Sequence, residues 1–226
     1  MKLYHYTHPG KCVEIFRGES PGLNPVSVVS SLEGNELYGS FALLEPQPDN
    51  WLNNAYFPDF WDRLKSHMGQ ILLEVNVNPS SDGVIVVDRG HMVKFNSSLP
   101  GEHVPSNVPR QFNHNNIEQA MEAYVQGRIP ILDYLEKSGD SPYVLPEAVI
   151  TKPISSKRIH ISQTQPLLED ELQTGGLQIG DEPQEDRPIE DRIRNAGSYV
   201  KKFPELQGWF KGYRKRMESE PALSRK

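Results

Sequence analysis

The sequence predicts an α+β domain of short, mainly antiparallel strands with few helices, ending near Gln165 and followed by a separate helical appendage. Apolar or alternating runs of strand length recur through that region, among them Ile71-Leu72-Leu73 and Val84-Ile85-Val86-Val87. Turn residues punctuate them throughout, with 17 glycines and 19 prolines in 226 residues. Beyond Gln165 the charge pattern changes. From Gln165 to Asn195 nine acids stand against Arg187, Arg192 and Arg194, and from Ala196 to Lys226 eight Lys/Arg stand against three acids. Short strands broken by turns describe one α+β layer arrangement, and the charge asymmetry marks a tail with its own role.

Taken in order, Leu3 to Tyr6 alternates as a first strand, and Thr7-His8-Pro9-Gly10 turns into a short helix, Lys11 to Phe16. Val26 to Ser31 is β-branched and serine-rich, a second strand, and Leu32 to Phe41 spaces Leu32, Leu37 and Phe41 for a helix that includes Tyr38. An aromatic stretch follows, with Trp51, Tyr56, Phe57, Phe60 and Trp61, read as a satellite core or as the wall of a pocket. Gln70 to Val77 and Gly83 to Asp88 are strands, and Gly90 to Gln111 is turn-rich. Asn116 to Gln126 carries Ile117, Ala120, Met121 and Tyr124 at helical spacing and stops at Gly127. Tyr143 to Ile150 is an apolar strand holding one acid, Glu147, and Arg158 to Ser162 is the last strand. Residues 166–188 read as an acidic flexible linker, and 189–226 as basic amphipathic helices. In the second of these Leu206, Trp209, Phe210, Tyr213 and Met217 form an apolar stripe, fit either to dock on its own domain or to meet a partner or an anionic surface.

Composition narrows the function. A hydrophobic share of 36% and a charged share of 24% permit a buried core. No apolar run approaches the roughly 20 residues that cross a bilayer, and the N-terminus lacks an apolar signal region. A cytoplasmic protein is expected, although export without a cleavable signal would leave the same sequence. The formal charge of −6 argues against a general nucleic-acid binder. Cys12, the single cysteine, rules out an internal disulfide and a multi-cysteine zinc site. It sits on the apolar side of a helix, where a thiol is usually inert filling.

The residues with the most chemistry are His5, in Leu3-Tyr4-His5-Tyr6-Thr7, and Glu147. Cleaving a nicotinamide glycosidic bond builds positive oxocarbenium character on ribose, which a carboxylate stabilises more in the transition state than in the ground state. The first-strand motif resembles that of the ADP-ribosyltransferase superfamily, in its bacterial toxin and effector branches and its histidine-tyrosine-glutamate group. The order of elements is similar as well: the His5 strand, a Gly22-Leu23 turn, a serine-ended strand, Tyr38, and a late strand with Glu147. The resemblance covers about residues 1 to 165 and implies two small sheets around a cleft that takes NAD as substrate, with no metal expected. It implies that Glu147 is catalytic, that His5, with Tyr6 and Thr7 beside it, binds the nicotinamide half, that Tyr38 stacks on nicotinamide, and that Ser30 and Ser31 support Glu147. The implied partner is a protein or other macromolecular acceptor. Tyr6 stands where a glycine often follows the histidine, and Leu145 breaks the Glu/Gln-x-Glu pattern of arginine- and asparagine-modifying members, so the acceptor stays open.

Two other readings stand beside this one. A non-catalytic effector-type module would capture a protein, for which helix 204–217 is a candidate surface. A metal-dependent hydrolase would use Asp88 and His91, with His103 and His114 in the following loop, although the spacing of those two fits no familiar ligand pattern. No phosphate-cradling glycine loop and no Gly-x-Ser-x-Gly elbow occurs.

Overall fold

The apolar run around Glu147 forms β8 (Pro146–Ile150), all five residues of which are buried. In the computed structural model, which describes residues 1–29, 37–57, 61, 68–95, 108–137, 143–163 and 189–219, it is the middle strand of a five-stranded sheet. The order is β3 (Val26–Val29), β4 (Leu37–Ala42), β8, β6 (Val84–Asp88) and β7 (Ile129–Pro130), and every neighbouring pair is antiparallel. Pairing on both flanks explains why β8 reads as a nearly unbroken apolar run.

Register decides which side chains share a face. Phe41 and Ile85 both lie opposite Val149, and Val87 lies opposite Glu147. Because strand side chains alternate, Leu37, Phe41, Ile85, Val87, Glu147 and Val149 point to one side of the sheet. Helix α3 (Ile117–Gln126) covers that side: Tyr124 and Val125 join Leu37, Val87 and Val149 in a buried cluster, with Met92 and Met121 packed against it. Its start follows the expected chemistry, since the Asn116 side chain accepts from the Gln119 amide at 2.9 Å, and at its end the Gly127 amide donates to the Ala123 carbonyl at 2.9 Å.

One sequence expectation is corrected. Tyr38 and Phe41 lie on β4 rather than on a helix. Backbone pairing to β3 and β8 outweighs the local helical spacing, and Gly39 suits only a strand packed this closely: a Cβ there would fall 2.2 Å from Cγ1 of Val149. The rest of that predicted helix lies outside the described residues, as does the 166–188 linker.

β1 (Lys2–Thr7), β5 (Ile71–Asn76) and β10 (Ile159–Ile161) form a three-stranded sheet in the order β1-β5-β10, and β2 (Gly22–Leu23) pairs antiparallel with β9 (Ile154–Ser155). The architecture is thus mixed helix and sheet with few helices, as α+β requires.

The chain divides into two units. Unit one, made of Met1–His5, Gly22–Leu64 and Glu74–His160, holds the five-stranded sheet, the β2–β9 pair, α2 (Asp49–Leu52), α3 and α4 (Ile131–Glu136). In it Trp51, Phe57 and Trp61 are buried, with Trp51 edge-on to Trp61 at 6.4 Å, so these rings of the aromatic stretch fill a core. Unit two, made of Tyr6–Pro21, Lys65–Leu73 and Ile161–Lys226, gathers two early segments with the C-terminal helices, where the sequence pattern suggests a single boundary near Gln165. Within it α1 (Pro9–Arg17) packs against α5 (Ile189–Lys202), and Phe16 stacks on Phe203 at 4.9 Å. Helix α6 (Gln207–Ser219) returns along α5. Leu206, Trp209 and Tyr213 are buried, and Lys211, Arg214 and Lys215 are exposed. Three residues of the apolar stripe are therefore buried, with Phe210 half-buried beside them and the described basic residues on the exposed side. Among the described residues no helix is long and apolar enough to cross a membrane.

Candidate active site

The site grows out of the end of β6. Asp88 accepts the amides of Gly90 at 2.8 Å, Val144 at 2.8 Å and Leu145 at 3.0 Å, and the Arg89 amide donates to the Leu145 carbonyl at 2.9 Å. Gly90 is required here, because a Cβ would lie 2.9 Å from both Asp88 Oδ1 and the Phe112 ring. One carboxylate thereby ties the 3-10 turn Arg89–Phe95 to the entry of β8. Two residues beyond Val87 on the same strand line, Arg89 reaches across the face to Glu147.

Glu147 is only 5% exposed and sits on the central strand, not on a solvent-facing edge. Arg89 Nη1 donates to its Oε2 at 3.3 Å, and the Tyr124 hydroxyl donates to the same oxygen at 2.9 Å. No hydrogen bond reaches Oε1 among the described residues. The guanidinium stacks over the Phe41 ring, 5.5 Å from its centroid. Burial would lower the pKa of Arg89, but the Glu147 carboxylate and the Tyr124 oxygen more than offset it, so the group remains a cation. Burial first, and then the Glu147 charge, pushes the Tyr124 phenol well above its usual 10. The pairing answers a physical need: an acid this deep is costly unless paired and hydrogen-bonded.

His5, half-buried, places Nδ1 2.6 Å from the carbonyl oxygen of Phe41. A carbonyl only accepts, so Nδ1 carries the proton, and in the neutral ring Nε2 is an acceptor with no partner among the described residues. Burial lowers the His5 pKa, partly countered by the Phe41 carbonyl, which favours that neutral ring at pH 7. His5 and Glu147 do not bond each other; Phe41 links them, its carbonyl on one and its ring beneath the arginine that holds the other.

The other sequence candidates lie elsewhere. Tyr38 is 50% exposed and, one residue out of step with Leu37 and Gly39, belongs to the sheet face opposite Glu147. Tyr6 and Thr7 continue β1 within unit two and are buried. Ser30 and Ser31 are outside the described residues, as is His103. Asp88 spends its oxygens on backbone amides, as a strand-capping acid does. Nδ1 of His91 lies 2.9 Å from Nε2 of His114, but among the described residues no three His, Cys, Asp or Glu side chains gather as a metal site. Cys12 is buried in α1, and burial, helped by the Glu205 charge, pushes its thiol up to about 12, far from a reactive thiolate.

Sequence reasoning singled out Glu147 and His5 but not Arg89 or Tyr124 as parts of one site. The available signal was indirect: a buried acid needs donors, and a tyrosine on the inner face of a helix needs a partner for its hydroxyl. Comparison of the chain with protein-family models, with curated proteins and with solved structures gives no match.

Proposed function

We propose that unit one binds NAD, cleaves its nicotinamide glycosidic bond and passes ADP-ribose to a macromolecular acceptor. The observation that carries this reading is Glu147, a buried carboxylate whose Oε2 is held by two donors while Oε1 takes no hydrogen bond among the described residues. The reaction needs such a group. As the bond from ribose C1′ to the nicotinamide nitrogen breaks, its electron pair leaves with nicotinamide, and the sugar ring becomes a planar oxocarbenium cation. A fixed anion beside C1′ is worth more to that cation than to the ground state, because the charge appears only as the bond lengthens. A nucleophile of the acceptor, or water, then adds to C1′ and loses its proton.

His5 suits the orienting role. Its Nε2 can accept from a ribose hydroxyl, with the tautomer fixed by the Phe41 carbonyl. Tyr38 has no part in this reading, since it belongs to the other face of the sheet. The test is a titration of the purified chain with NAD, followed by detection of released nicotinamide. Saturable binding with release that the fold-preserving Glu147→Gln removes supports the proposal, and no binding at millimolar NAD overturns it.

A further inference from the structure

We propose that Arg89 and Tyr124 are positioning residues that hold Oε2 of Glu147 so that Oε1 alone meets the electron-poor ribose carbon. The inference rests on the proposed cleavage of NAD and adds how its carboxylate is aimed.

The terminal torsion of a glutamate is broad, so a lone buried carboxylate would turn about its last bond and spread its charge over several directions. Here two donors from separate elements, the 3-10 turn and α3, converge on one oxygen of a third element, β8, at 3.3 Å and 2.9 Å. Neither donor is loose. Arg89 is tied through its own amide to Leu145 at 2.9 Å and lies over Phe41, and Tyr124 is buried in the core under α3. The Tyr124 phenol, raised well above 10, remains a donor across any working pH. Both partners are therefore in place before a substrate arrives, so aiming the carboxylate costs no reorganisation during the reaction.

The experiment measures nicotinamide release by the full chain carrying Tyr124→Phe, Arg89→Lys or Arg89→Ala. Tyr124→Phe removes one oxygen and leaves the ring to fill its place in the core. The expected result is a fall in kcat of about 10- to 100-fold, with KM for NAD nearly unchanged, as for an interaction that matters chiefly in the transition state. Arg89→Lys should retain more activity than Arg89→Ala. Wild-type kcat in Tyr124→Phe, or a raised KM at unchanged kcat, overturns the assignment.

A second measurement does not depend on turnover: the carbon-13 resonance of the Glu147 carboxylate, identified by its loss in Glu147→Gln. It should move in Tyr124→Phe, and an unmoved resonance overturns the clamp. If it moves while the wild-type chain releases no nicotinamide, the hydrogen bonds stand, but the NAD reading fails and the positioning role fails with it.

Discussion

Nδ1 of His91 and Nε2 of His114 stand 2.9 Å apart, so one proton serves both rings. The bond joins the 3-10 turn that begins with Arg89 to the loop after Phe112, whose ring meets His91 edge-on at 4.9 Å. Its charged surroundings are mixed. Asp88 favours a charged His91, whereas the Lys94 ammonium, bonded to the His114 carbonyl at 2.9 Å, disfavours a charged His114.

Stability should therefore fall on mild acidification. Burial, more than any neighbour, sets both rings below the ordinary imidazole value of 6.5, and His114 and Lys94 press the same way. The unfolded chain takes up protons first as pH falls, so stability is full above about pH 6.5, declines below it and levels off only once the folded rings protonate. His5 shifts in the same direction and adds to the slope. The melting temperature should drop between pH 7.5 and 5.5, and His114→Asn should flatten the drop. A melting temperature that rises on acidification would contradict the assignment.

Glu147→Gln and Glu147→Ala should separate chemistry from folding. Glutamine preserves the shape and a carbonyl oxygen for Arg89 and Tyr124, so the fold should survive while nicotinamide release falls by about 100-fold or more. Both variants remove the anion beside Arg89, but alanine also removes the acceptor oxygen and leaves the mostly buried Arg89 and the Tyr124 hydroxyl without that partner, which costs about 3–5 kcal/mol of stability. Chemical denaturation of both variants, beside NAD affinity by calorimetry, checks this. Equal turnover in Glu147→Gln would remove the carboxylate from the mechanism.

Asp88 should prove structural. Asp88→Ala strands the amides of Gly90, Val144 and Leu145, a loss of about 3–5 kcal/mol, while Asp88→Asn keeps one acceptor oxygen and loses less. The ordering Asp88 > Asn > Ala in denaturation midpoint is expected, with added zinc or manganese changing none of the three. A midpoint that rises with metal in the wild-type chain alone would restore Asp88 and His91 as ligands.

The strands around the site could be read in the sequence wherever local pattern and long-range pairing agree. Lys2 to Thr7 alternates, Pro146 to Ile150 is apolar between turns, and Ile117 to Gln126 has its Asn116 cap and its Gly127 stop. At Leu37 to Ala42 they disagree: helical spacing of Leu37 and Phe41 misleads, and the reason for Gly39 is Val149, more than a hundred residues away. The site divides in the same manner. Glu147 stands out as one acid in an apolar run. Arg89 and Tyr124 do not, because their convergence depends on the pairing of Val87 with Glu147 and on which face α3 covers.

The C-terminal helices should behave as part of unit two rather than as a free arm. Trp209 is buried beside Tyr213, their rings 5.3 Å apart, and the Phe203 ring that precedes α6 stacks on Phe16 of α1. Trp209→Ala should cost about 3–5 kcal/mol, as expected for an emptied aromatic site in a packed core. Deleting residues 196–226 should uncover the apolar side of α1 and bring aggregation or rapid proteolysis. Exchanging the exposed Lys211 and Lys215 for glutamine, by contrast, should leave the melting temperature within about 2 °C. If the deletion instead yields a monomer that melts like the intact chain, the stripe is free for another occupant and the docking described for α6 is wrong.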